Sequence, residues 1–72
     1  MTEGYESYFE MDEDSKLLMQ HLLLQKYLAA NDTDIKVYKA LQINLLKYED
    51  AEQYDMCALY KDSIKLLFEY DN

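Results

Sequence analysis

From Tyr5 to Asn72 the chain contains neither glycine nor proline; its only glycine is Gly4. Tight turns between strands lean on those two residues, one for positive φ and the other for a preset φ, so no internal β-turn is signalled. Apolar periodicity must therefore define the elements, and it runs at three- and four-residue steps. Leu17, Leu18, His21, Leu22, Leu24 and Leu28 recur at that spacing, with Leu23 and Tyr27 widening the face, which predicts a helix over 15–30. Asp14 or Ser15 can cap its start, with Asp12 and Glu13 favourably placed beside the helix N-terminus.

Asn31-Asp32-Thr33-Asp34 is a polar break whose side chains compete for backbone hydrogen bonds, and Asp32 or Thr33 can cap the next helix. That second helix, over 34–48, carries Tyr38, Leu41, Leu45 and Tyr48 on one stripe, with Val37, Ile43 and Leu46 close by. The stripe would next reach Asp55, so the apolar phase shifts within 49–53, where Asp50 and Gln53 have capping-box spacing. This predicts a short turn there and a third helix over 54–69 carrying Tyr54, Cys57, Ala58, Ile64, Leu67 and Phe68; the rival is one long kinked helix over 34–70. The expected fold is all-α. It is a three-helix mini-bundle built on helical hairpins, one domain over 15–72, behind a flexible acidic N-terminal segment over 1–14.

That N-terminal segment holds six carboxylates and no cation, whereas the remainder sets nine acids against seven lysines, so most of the net charge of −8 lies at the N-terminus. Tyr5, Tyr8, Phe9 and Met11 are threaded through those acids. An acidic, aromatic segment of this kind suits a basic, partly apolar surface on another molecule. Tyr5, Tyr8 and Phe9 would be its anchors, with Glu6, Glu10, Asp12 and Glu13 as steering charges.

Size sets a second limit. A body of about 58 residues buries only about 60% of the surface its unfolded chain exposes, yet half of the 72-residue chain is hydrophobic. Apolar surface left over within one copy would be covered by a second copy, as a homodimer, or by a partner protein. Cys57, the only cysteine, cannot form an intramolecular disulfide. The acidic N-terminus is unlike a targeting segment, and the apolar stretch Leu17–Leu28 is interrupted by Gln20, His21, Gln25 and Lys26 and is too short to span a bilayer. These features predict a cytoplasmic protein without membrane attachment. A negative chain without arginine is also poorly suited to bind nucleic acid, which needs cations to displace counterions. Frequent Asn, Ile, Tyr and Lys fit an AT-rich coding genome, such as many phage genomes.

Within the second half, the aromatic–acid pair Tyr54-Asp55, the small pair Cys57-Ala58, Lys61-Asp62, Ile64 and Leu67 come in that order behind an amphipathic helix and an acidic turn. The stretch Leu41 to Leu67 resembles the UVR motif, the helical hairpin at the end of UvrB and within UvrC. Lysine stands where arginine is usual, Cys57 replaces an alanine, and bulky Tyr48 occupies a position where a small residue is common. The resemblance implies protein–protein association, with its own kind or a related helix pair, rather than catalysis.

Little in the chain points to chemistry. His21 lies among leucines, as a boundary-core histidine would, and Cys57 occupies the small-residue slot of a helix face; a nucleophile pair would require them to meet across helices. Asn31–Asp34 resembles the start of a calcium loop but lacks its glycine, and Ile43 falls where the closing acid belongs. No phosphate-binding loop or basic aromatic patch is present. No cofactor or metal is expected, and no enzymatic activity. The expected function is a small acidic regulator, of a size that suits a phage-encoded modulator or inhibitor of a host protein, docking through an apolar helix face and its acidic N-terminus. Its partner-facing residues would be Tyr5, Tyr8, Phe9, Glu10, Asp12, Glu13, Tyr54, Asp55, Leu59 and Tyr60. One alternative is a DNA mimic whose carboxylates occupy a nucleic-acid groove, with Glu49, Asp50, Glu52, Asp55 and Asp62 forming an acidic ridge. The other is a self-associating assembly component.

Overall fold

A computed structural model describes residues 8–70 of the chain. A 3₁₀ turn, Tyr8–Glu10, precedes three helices: α1 Glu13–Ala30, α2 Asp34–Asp50 and α3 Tyr54–Tyr70. The fold is an all-α three-helix bundle. Its elements begin and end close to where apolar periodicity places them, and the break at Ala51–Gln53 rules out a continuous helix from 34 to 70.

Each start has a local cause. Asp12 caps α1 by accepting the Ser15 amide at 2.9 Å, so the cap lies ahead of the Asp14 or Ser15 expected from sequence. Glu13 and Asp14 then occupy the first turn, where the helix dipole favours acids. Thr33 caps α2 by accepting the Lys36 amide at 3.2 Å. The α2–α3 turn is built without glycine. Glu52 N–H donates to the Glu49 carbonyl and Gln53 N–H to the Tyr48 carbonyl, at 3.1 and 2.9 Å. That bond pair is a Schellman motif, and it forces the residue after the cap into the left-handed region; Glu52 sits there with φ of 60°. For a residue with a Cβ this conformation is strained.

α3 organises the core. It buries Cys57, Leu59, Tyr60, Ser63, Ile64, Leu66 and Leu67, whereas α1 buries only Leu24 and α2 only Val37 and Leu41. Two adjacent stripes on α3, Tyr60–Ile64–Leu67 and Leu59–Ser63–Leu66, make it apolar over a broad arc. Ser63 is tolerated inside because its hydroxyl donates to the Leu59 carbonyl at 2.8 Å. α2 and α3 run antiparallel: Tyr48 near the end of α2 lies against Tyr60, and Tyr38 near its start lies against Phe68. α1 packs mainly on α3 and less on α2. One polar network joins all three helices, as Asn44 donates to the Tyr27 hydroxyl at 2.8 Å and that hydroxyl lies 3.2 Å from Tyr60 Oη.

The core face of α1 differs from the expected stripe. Leu24 is buried, with Leu23 and Tyr27 packed beside the core, but Leu17, Leu18, Leu22 and Leu28 are exposed. A helix that is apolar on every side has no phase from which its inner face can be chosen. On α2, Ile43 and Leu46 likewise point to solvent, whereas Phe68 on α3, half exposed, rests its ring against Tyr38.

Relief of the Glu52 strain gives a direct test. Glu52→Gly should stabilise the protein by about 0.5–1 kcal/mol, raising the thermal midpoint by several degrees. Thermal unfolding followed by circular dichroism checks this, and an unchanged or lower midpoint would contradict the turn geometry.

Candidate interaction surface

The expected partner-facing residues separate into two fates. Tyr8, Leu59 and Tyr60 are buried, each 5% exposed, and so act as packing residues of the single copy rather than as surface offered to a partner. Leu59 and Tyr60 lie on the two stripes that α3 turns inward; the sequence reading of α3 names Ile64 and Leu67, on the stripe of Tyr60, but places Leu59 and Tyr60 on the partner-facing side. Phe9, Glu10, Asp12, Glu13 and Tyr54 are exposed, and Asp55 is half-buried, its carboxylate accepting the Met56 amide at 2.9 Å. Tyr5 and Glu6 lie outside the described residues.

Tyr8 moves the boundary of the folded body toward the N-terminus. Its hydroxyl donates to Asp62 Oδ2 at 2.6 Å and accepts from Gln20 Nε2 at 2.7 Å, tying the 3₁₀ turn to both α1 and α3. Lys16 Nζ lies 5.6 Å from the centre of its ring. Burial, reinforced by the adjacent Asp62 carboxylate, pushes the Tyr8 hydroxyl up to about 12. Residues 8–14 are thus part of the structured body, although the sequence groups them with the acidic segment. No apolar period signals this, because a single aromatic hydroxyl among acids looks alike whether buried or free.

Below that contact, α1 and the C-terminal half of α3 enclose an open cleft of about 400 Å³ lined by both signs of charge, with Glu13, Asp14, Asp62 and Glu69 facing Lys16 and Lys65. The exposed part of α1 has a different character. Acids Glu10, Asp12, Glu13 and Asp14 and the exposed ring of Phe9 lead into Leu17, Leu18 and Leu22, and no charged residue occurs between Lys16 and Lys26. Leu18 and Leu22 are 58% and 53% exposed. Hydrogen bonds from Ser15 hold the Asp12 carboxyl below the usual carboxylate range, so it remains anionic while capping the helix.

The remaining candidate groups make local contacts. His21 Nδ1 and the Tyr70 hydroxyl form a hydrogen bond, with the rings stacked at 5.7 Å, and Cys57 is a buried free thiol on α3. In the Asn31–Asp34 segment, Asn31 donates to the Tyr27 carbonyl at 2.8 Å and Asp32 pairs with Lys36 at 3.0 Å. Of the acids proposed as a ridge, Asp62 is held by Tyr8 and Glu49 lies 3.9 Å from Lys61. Among the described residues no helix is long and apolar enough to cross a membrane. Comparison with protein families, with curated proteins and with solved structures gave no match.

The Tyr8 contact has a pH signature. A hydroxyl whose folded pKa lies above its unfolded value near 10 contributes stability that is complete below pH 10 and is lost as pH rises toward 12. Tyr8→Phe should cost about 1 kcal/mol at neutral pH, because Asp62 and Gln20 lose a partner. It should also flatten the fall in stability between pH 10 and 12. Tyr60, raised in the same direction by burial and then by its bond to Tyr27, keeps part of that fall in the variant. Urea denaturation of both proteins across that range checks the difference; identical slopes would mean that Tyr8 is not buried as described.

Proposed function

We propose that this chain is a non-enzymatic protein-binding regulator of the cytoplasm, of a kind a phage would encode. It docks on a larger protein through the exposed face of α1 and the acidic, aromatic residues that precede it. The observation that carries this reading is their continuity: Phe9, Glu10, Asp12, Glu13 and Asp14 run directly into exposed Leu17, Leu18 and Leu22. A surface that is anionic at one end and apolar along its length fits a partner with a basic rim beside a greasy groove. The charges would speed encounter and set orientation, while desolvation of the leucines would supply most of the affinity. The resemblance of Leu41–Leu67 to the UVR hairpin is a second reason to expect association.

The mimic reading has less support. Glu49 and Asp62 are engaged with Lys61 and Tyr8, and acids along a rigid face must be free if they are to stand in for phosphates.

Affinity capture from bacterial lysate tests the proposal, comparing the full chain with the Leu18→Lys/Leu22→Lys variant at low and high salt. A specific partner should be retained by the wild type at both salts and lost by the variant, since each anchor is worth about 1–2 kcal/mol or more. Retention by the variant would place docking on another face. Binding that disappears at high salt and is competed by DNA would favour the mimic instead.

A further inference from the structure

The outward face of α2 is separate from the α1 surface and has a different design. Along it, Lys39, Ile43, Leu46 and Asp50 occur at i, i+4, i+7 and i+11, so they form a single stripe on the helix. All four are exposed, and Ile43 and Leu46, at 67% and 61%, are among the most exposed aliphatic side chains of the described residues. Among the described residues neither Lys39 nor Asp50 has an ion-pair partner, whereas the neighbouring Lys36 pairs with Asp32. Asp50 is also the last residue of α2, the end at which the helix dipole disfavours a carboxylate.

The order cation, aliphatic, aliphatic, anion is self-complementary under a two-fold axis. When two such stripes are laid antiparallel about the midpoint between Ile43 and Leu46, each charge meets its opposite and each aliphatic meets an aliphatic. We propose that two copies of this chain pair through α2 in this antiparallel arrangement. Ile43 packs on the partner subunit's Leu46, and Lys39 forms an ion pair with the partner subunit's Asp50, each contact occurring twice. An isologous interface requires this kind of reciprocity.

Competing arrangements of the same helices lose the match. A parallel pair sets Lys39 beside the partner's Lys39 and Asp50 beside the partner's Asp50. Sliding the antiparallel pair to bring Ile43 onto the partner's Ile43 sets Lys39 opposite the partner's Lys47. In the proposed register Ile35 falls at the level of the partner subunit's α2–α3 turn, just past which Tyr54 is exposed on this chain, so the contact can continue beyond the stripe. One helix pair about 25 Å long makes a small interface, of the kind found in weak, reversible association.

Sedimentation equilibrium of the full chain, from low micromolar to near-millimolar concentration at physiological ionic strength, tests this. The wild type should show a monomer–dimer equilibrium. Lys39→Asp and Asp50→Lys should each weaken it about tenfold or more by opposing like charges. An equimolar mixture of the two variants should recover dimer, because in the mixed pair the two substituted positions face each other as an ion pair of reversed sign while the other contact remains the wild-type pair of Asp50 with Lys39. Leu18→Lys on α1 should leave dimerisation unchanged. Both charged positions are exposed, and lysine at the C-terminal end of α2 favours the helix, so circular dichroism should show the fold retained. A wild type that stays monomeric throughout the range would overturn the proposal. So would single variants that dimerise as the wild type does, or a mixture that recovers nothing.

Discussion

Three short helices have few ways to share one core, and in this chain α3 takes the position with apolar neighbours on both sides. α2, α1 and the 3₁₀ turn all pack against it, so most of the buried side chains belong to it. That allocation sets the rest of the molecule. α1 and α2 each press one edge against α3 and keep the opposite face in water, however apolar that face is. The exposed leucines of α1 and the exposed Ile43 and Leu46 of α2 are therefore products of the architecture.

Polar contacts set how the pieces sit. Tyr27, Asn44 and Tyr60 contribute one group from each helix to a single network, so no helix can rotate without leaving a partly buried hydroxyl or amide unpaired. Tyr8 does the same for the N-terminal turn, placing its hydroxyl between Gln20 of α1 and Asp62 of α3. In a body this small, apolar packing alone distinguishes poorly between neighbouring registers, because leucine against leucine is similar after a small slide. Directional bonds with fixed donors and acceptors do discriminate.

The turn between α2 and α3 shows a local rule overridden. A helix ending with the Schellman bond pair calls for glycine, and the chain offers none after Gly4, so Glu52 adopts the left-handed conformation. The phase shift between the Tyr48 stripe and the Tyr54 segment made the break legible, though no residue type announced it. The N-terminal acids illustrate the opposite difficulty. Their composition groups residues 1–14 together, yet Tyr8 is buried and Asp12 caps a helix. Such single-residue engagements leave no periodic trace.

The amino-acid sequence by itself determined that this chain is helical, that it breaks near 31–34 and that its charge gathers at the N-terminus; near 49–53 it left a turn and one long kinked helix both open, and the structure decided for the turn. Those properties come from spacing, capping chemistry and the absence of breakers, all of which act over a few residues. Which face of each helix turns inward was decided only in the tertiary structure. On α1 the apolar residues surround the helix, so Leu24 is buried and Leu18 and Leu22 are not for reasons that lie in the shape of α3. Burial is settled by the fit among three helices at once, and a one-dimensional pattern that is nearly uniform around a helix carries no information about it.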